Sequence, residues 1–146
     1  MTCSRVISPA RSDMVTDRYA QIGQVAERTE LSLKTIRHYD EVGLVQPSAR
    51  SAGGFRLYTD ADIERLLVIR RMKPLGFTLA EMKHLLDSLD VLDDSHSSGE
   101  QRASAKAYLL ECRAKTFESA DRLRRHLAYA EEFGALLTTS ATTRSD

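Results

Sequence analysis

The sequence predicts a mainly α protein: a head of short helices carrying one small β-hairpin, then a single long amphipathic helix. Three observations predict it. Helix-capping residues stand before short apolar-periodic stretches, at Ser32, at Thr59 with Asp62 and at Thr78 with Glu81. The pair Gly53-Gly54 separates Arg50 from Phe55-Arg56-Leu57-Tyr58, which is a hairpin signal. From about Gln101 to Leu137 no proline occurs, and apolar residues return at spacings of three, four or seven.

The elements follow in order. Residues 1–18 are rich in Ser, Arg and Asp and read as a flexible arm. Ile22, Val25, Ala26 and Leu31 predict a short helix over about 21–28 and a turn at 29–31. Ser32 caps the next helix, in which Leu33 and Ile36 share an inner face. Lys34, Thr35, Arg37 and His38 look outward, and Tyr39 and Asp40 stand at the far end. Gly43 stops it. Two short helices joined by a tight turn, the second donor-rich outside, describe a helix-turn-helix whose outer helix fits a major groove.

The hairpin tip falls near 51–54. Phe55 and Leu57 face one way and Arg56 and Tyr58 the other, giving a small, positively tipped wing. A third helix carries Ile63, Leu66, Leu67, Ile69, Arg70 and Arg71, and Pro74 ends or kinks it. A fourth carries Met82, Leu85, Leu86 and Leu89. Residues 19–89 thus make a winged helix-turn-helix domain. Residues 90–100, acidic and Ser-rich, read as a linker, and 138–146 as a loose tail. Between them, 101–137 is a dimerisation helix. Its seam holds Leu110, Phe117, Ala120, Leu123, Leu127 and Ala130, with Arg113 and Arg124 breaking a strict heptad. One such helix has little of its own chain to pack against, so a second copy is expected to bury the seam as a homodimer.

Lys plus Arg total 21 and Asp plus Glu total 21, so net charge points to no polyanion. Its distribution is compatible with a local phosphate-binding face, and equally with solvated helix faces: basic residues outnumber acidic ones from Leu31 to Leu75, and the balance reverses from Glu81 to Gln101. No apolar run reaches membrane-spanning length and no signal peptide opens the chain, so a soluble cytoplasmic protein is expected. Cys3 and Cys112 have neither disulfide-framework nor metal-ligand spacing. Cys112 is either a semi-buried small residue or a single-thiol redox sensor. His84, His96 and His126 read as surface residues. The sequence offers no nucleophile–base pair, no Gly-rich phosphate loop and no metal cluster, so neither an enzyme nor a metal or cofactor site is expected.

The stretch from Tyr19 to Leu86 resembles the DNA-binding domain of the MerR family of bacterial transcription regulators. The pieces "IGQVA", "TIRHYDEVGL", "GGFRLYT", "DIERL" and "LGFTLAEMK" carry the resemblance, in that order. The long helix resembles the family's antiparallel coiled-coil dimerisation helix. The resemblance implies a dimer that binds pseudo-palindromic promoter DNA, bends and untwists it, and so controls RNA polymerase. It implies DNA contacts from Lys34, Thr35, Arg37, His38 and Tyr39 on the recognition helix, with His38 where Tyr is usual. Arg56 and Tyr58, with Arg50, would contact the backbone from the wing, and Lys73, with Arg70 and Arg71 near it, from the helix pair 60–88. Arg71 has an alternative, a salt bridge one turn away. Glu30 stands where the family often has Gly, so that turn is expected to be strained. Metal-sensing relatives carry two thiols near the end of the long helix, and drug-binding relatives a large domain after it. Neither is present, which leaves the effector open among the dimer interface, Cys112, a partner protein and none at all. The competing reading is an architectural or excisionase-like DNA-binding protein that does not act on polymerase.

Overall fold

The computed structural model describes residues 19–144. The elements run β1 (Ala20–Gln21), α1 (Ile22–Thr29), α2 (Leu33–Glu41), β2 (Ala49–Arg50), β3 (Arg56–Tyr58), α3 (Asp60–Met72), a 3-10 turn (Lys73–Leu75), α4 (Leu79–Asp93) and α5 (Gly99–Thr143). The chain forms two units that divide within α5, between Tyr108 and Leu109. The arm expected over 1–18 lies outside the described residues.

Local chemistry sets most boundaries of the first unit. Gln21 and Gln24 make a reciprocal capping box at α1. Ser32 caps α2, its Oγ accepting from the Thr35 amide at 3.0 Å. Thr59–Asp62 and Thr78–Glu81 are complete capping boxes at α3 and α4. Between α1 and α2, Glu30 takes φ +57°, the left-handed conformation in which a Cβ is strained. Gly43, at φ +73°, ends α2. The Leu44 amide donates to the Tyr39 carbonyl at 2.9 Å and the Gly43 amide to that of Asp40 at 3.0 Å, the paired bonds of a Schellman motif. At Pro74 the chain continues from α3 as the 3-10 turn, then leaves it at Gly76, φ +86°.

The wing is a three-stranded antiparallel sheet in the order β1-β3-β2 rather than an isolated hairpin. Ala20 pairs with Tyr58 and Gln21 with Leu57, while Ala49 pairs with Leu57 and Arg50 with Arg56. A two-stranded ribbon is marginal in water, and the third strand anchors the hairpin to the start of α1. The core is built from Val25 of α1, Ile36 and Tyr39 of α2, Tyr58 of β3, Ile63, Leu66 and Ile69 of α3, and Met82 and Leu86 of α4. Each such side chain contributes about 1.5–3 kcal/mol on leaving water.

Two boundaries correct the sequence reading. The acidic stretch 90–100 is mostly helical: α4 continues through Asp93, and α5 starts at Gly99, leaving 94–98 as the connection. Arg65 pairs with Asp90 at 2.6 Å. Arg102 donates to the carbonyls of Leu92 at 3.0 Å and Asp94 at 2.6 Å, satisfying the end of α4. Ser98 and Gln101 form a further reciprocal cap. Tyr108 stacks on His84, ring centroids 3.5 Å apart, which fixes the first turns of α5 against α4. Residues 138–143 of the expected tail also belong to α5. Thr138, Thr139, Thr142 and Thr143 each donate a hydroxyl hydrogen to the carbonyl four residues back, so a threonine-rich end that reads as loose stays helical.

In the second unit, α5 buries Cys112 and Ser119 and exposes most of its large apolar residues. Leu110, Phe117, Leu123 and Leu127 are exposed, as is Ala130, while Ala120 is half-buried. Tyr129, Phe133, Leu136 and Leu137 extend the exposed apolar surface beyond the expected seam.

Gly43→Ala is expected to destabilise the protein by about 1–2 kcal/mol through backbone strain alone. No heavy atom lies within 4 Å of the added Cβ. Urea unfolding checks it. Tyr58 is fully buried and its hydroxyl has no hydrogen-bond partner among the described residues. Tyr58→Phe therefore removes no hydrogen bond and is expected to leave stability at pH 7 undiminished. Burial, with the field of Asp40 behind it, raises the Tyr58 pKa. The neutral phenol thus favours the fold below about pH 10, and that contribution is lost as pH rises further. Thermal melts from pH 9 to 11 should show a shallower loss in Tyr58→Phe than in the parent.

Candidate nucleic-acid interface

Helix α2 presents one donor-bearing face. Lys34, Arg37 and His38 are exposed and stand at i, i+3 and i+4, so they lie side by side. The opposite face buries Ile36 and Tyr39, which fixes the rotation of the helix about its axis. Leu33, expected inside, is 39% exposed at the first turn. Thr35 is half-buried and its hydroxyl lies 2.8 Å from that of Ser32, so it takes part in the cap.

Tyr39 is not on the outer face. It is 2% exposed, and burial raises its pKa. The side chain lies among the core residues, which removes it from the set of surface contacts expected on this helix. Tyr58 is corrected in the same way: the period-two alternation does put it on one face with Arg56, but that face is turned toward the helices and covers Tyr58 completely. Phe55, by contrast, precedes β3 and is 68% exposed at the hairpin tip.

The wing arginines are held rather than loose. Asp40, buried at the end of α2, accepts from Arg56 Nε at 2.6 Å and from Arg50 Nη2 at 3.2 Å. Arg50 also donates to the Gly54 carbonyl at 3.3 Å, across the hairpin tip. The hydrogen bond to Asp40 raises the Arg56 pKa above the ordinary arginine value, so the group is always charged. The tip itself is closed by the Ser51 amide donating to the Phe55 carbonyl at 2.9 Å and the Gly54 amide to that of Ser51 at 2.9 Å.

Arg70 has a structural place. Its Nη1 donates to the Thr29 carbonyl at 2.8 Å and meets the Glu30 carboxylate at 3.4 Å. It thereby satisfies the end of α1 and braces the strained Glu30, while the side chain stays 36% exposed. Arg71 and Lys73 are both exposed, and no ion pair joins either to another described residue. The salt bridge expected as an alternative for Arg71 is thus not formed within the described chain.

The structure therefore gathers Lys34, Arg37 and His38 on one helix and Arg50 and Arg56 on the wing that follows it. Arg71 and Lys73 stand at the end of α3. Asp40 is the participant that sequence reasoning missed as part of the site. An acid at a helix end reads as a solvated charge, and only the return of both wing strands alongside α2 buries it. Among the described residues no group of three or more His, Cys, Asp or Glu side chains comes together as a metal site, and no helix is long and apolar enough to cross a membrane.

Residues 20–89 match the family described as MerR HTH family regulatory protein, and residues 63–130 match MerR, DNA binding. The chain is similar to the transcriptional regulator ZntR of Escherichia coli (strain K12), 35% identical over 98 residues, which is 67% of this chain and 69% of ZntR. It is also similar to the transcriptional activator mta of Bacillus subtilis (strain 168), 49% identical over 67 residues. That match spans 46% of this chain and only 26% of mta. A solved transcriptional regulator of the MerR family from Bacillus thuringiensis has the same fold, with TM-score 0.63 and 22% identity over 80% of this chain and 97% of that one. The chain belongs to the MerR family of helix-turn-helix regulators and is a DNA-binding transcription regulator of that type.

Proposed function

We propose that this regulator binds a pseudo-palindromic promoter operator as a homodimer and distorts the duplex to control initiation by RNA polymerase in the cytoplasm. The observation that carries the reading is the exposed Lys34–Arg37–His38 face on a helix whose ends and rotation are fixed by a cap, a Schellman turn and the core. A helix so held can enter a major groove without being ordered on binding, and its cations can meet base edges and phosphates. Arg50 and Arg56 on the wing, with Arg71 and Lys73 at the end of α3, supply backbone contacts. No catalytic role is assigned to any of these groups.

Two copies are needed for the proposed distortion. Bending a site of this size costs on the order of 1–6 kcal/mol, which contacts from two heads at a fixed separation can offset. The exposed Leu110, Phe117, Leu123 and Leu127 support pairing along α5, since an isolated helix does not carry such a surface in water without a partner. The 45 residues of α5 also favour a paired regulator over an architectural or excisionase-like protein.

Arg37→Ala is expected to weaken operator binding by about 1–3 kcal/mol and to relax preference at one or two base pairs. Lys73→Ala should weaken all duplexes alike and reduce the slope of log K against log salt by about one. Titrations on operator and scrambled duplexes at several salt concentrations separate the two, and the reverse pattern would contradict the assignment. For the seam, Leu127→Asp should shift the protein toward single subunits in sedimentation equilibrium and lower operator affinity with it. An unchanged dimer would remove Leu127 from the interface.

A further inference from the structure

One carboxylate joins the recognition helix to both strands of the hairpin. Asp40 lies on the last turn of α2 with its side chain 10% exposed. A single oxygen, Oδ2, accepts from Arg56 of β3 and from Arg50 of β2. Arg50 and Arg56 are register partners across the sheet. Like charges directly opposite one another on neighbouring strands repel, and an anion between them reverses the sign of the interaction.

The arrangement leaves binding capacity. Two arginines and one aspartate carry a net charge of about +1. Each guanidinium has five N–H donors in a rigid fork. Arg56 engages Asp40 through Nε, so its terminal nitrogens keep their donors, and its side chain is 25% exposed. Arg50 engages Asp40 through Nη2 and Gly54 through Nη1, and its side chain is 50% exposed. The bond to each arginine fixes the plane in which its remaining donors point, which is how a bidentate phosphate contact is prepared in advance. Asp40 belongs to the same turn of α2 as His38 and is one turn from Arg37. The position of the wing cations is therefore tied to the rotation of the reading helix.

We infer that Asp40 is a positioning residue that registers the Arg50–Arg56 pair of the wing against the base-reading face of α2, so that backbone grip and base readout engage the duplex together. The inference rests on the DNA-binding reading above. A purely structural carboxylate would lower stability when changed and leave the choice of sequence untouched. A positioning carboxylate alters the choice of sequence itself.

The experiment uses the full chain and a duplex that the parent protein selects from a random pool, with a scrambled duplex as the non-specific probe. Affinities for both are measured for the parent, Asp40→Asn, Arg56→Gln and the double variant, with thermal melts alongside. Asp40→Asn keeps the shape of the side chain and removes its charge. The specificity ratio, selected over scrambled, is expected to fall about tenfold or more in Asp40→Asn. Adding Arg56→Gln to it should cost no more than about twofold further, although Arg56→Gln alone costs about tenfold, because the two residues act as one unit. Should Asp40→Asn fail to fold, Asp40→Glu keeps the charge and lengthens the arm by one methylene, and the ratio should fall there too. A ratio equal to the parent's in the folded variant, or independent effects of the two substitutions, overturns the inference and leaves the DNA-binding reading in place. If the parent itself prefers no duplex sequence, both fall.

Discussion

The buried carboxylate of Asp40 is the constraint on which the DNA-facing half of the molecule depends. It lies where the recognition helix ends and the wing begins, and it meets a guanidinium from each hairpin strand, at 2.6 Å from Arg56 and 3.2 Å from Arg50. The sheet is short, with strands of two and three residues, and hydrogen bonding alone would hold it weakly. Three things fix it: the third strand β1, the complete burial of Tyr58, and the ion-paired cluster at Asp40. The same cluster ties the wing to α2, whose own orientation follows from Ile36 and Tyr39 in the core. Positional information passes from the core to the reading face and from there to the wing.

The cations of the chain divide by what holds them. Arg70 and Arg102 satisfy helix-end carbonyls, and Arg65 and Arg28 pair across the surface with Asp90 and Asp60. Exposed pairs of the last kind contribute little to stability. Lys34, Arg37, Arg71 and Lys73 are exposed without an ion pair to any described residue, and they lie on the elements expected to meet DNA. A protein of zero formal net charge can thus offer a local phosphate-binding surface, because the compensating acids collect elsewhere, notably along α4.

Much of this was legible in the sequence because it is local. The cap at Ser32, the boxes at Thr59 and Thr78, the stop at Gly43 and the break at Pro74 each depend on residues within one turn of each other. The left-handed Glu30 was legible as a departure from a glycine position. What could not be read depends on parts of the chain that are distant in sequence. β1 forms only because β3 returns beside it. Tyr58 and Asp40 are buried only once helix and hairpin pack together, so a tyrosine expected at the surface is core, and an acid to which the sequence assigned no role is the centre of the wing. The helical ends of α4 and α5 were misread for another reason. Their Asp-, Ser- and Thr-rich composition suggested loops, yet Arg102 satisfies one end and threonine hydroxyls back-bond along the other.

In the proposed complex two such heads, paired through α5, read one duplex together, each placing α2 in a major groove and its wing on the adjoining backbone. Hydroxyl-radical footprinting of the full chain on a selected operator tests it most directly. Two related patches of protection are expected, their centres separated by about one helical turn or a multiple of it, together with altered cleavage between them where the duplex is deformed. A single protected patch at saturating protein, or uniform protection with no symmetry, would contradict it.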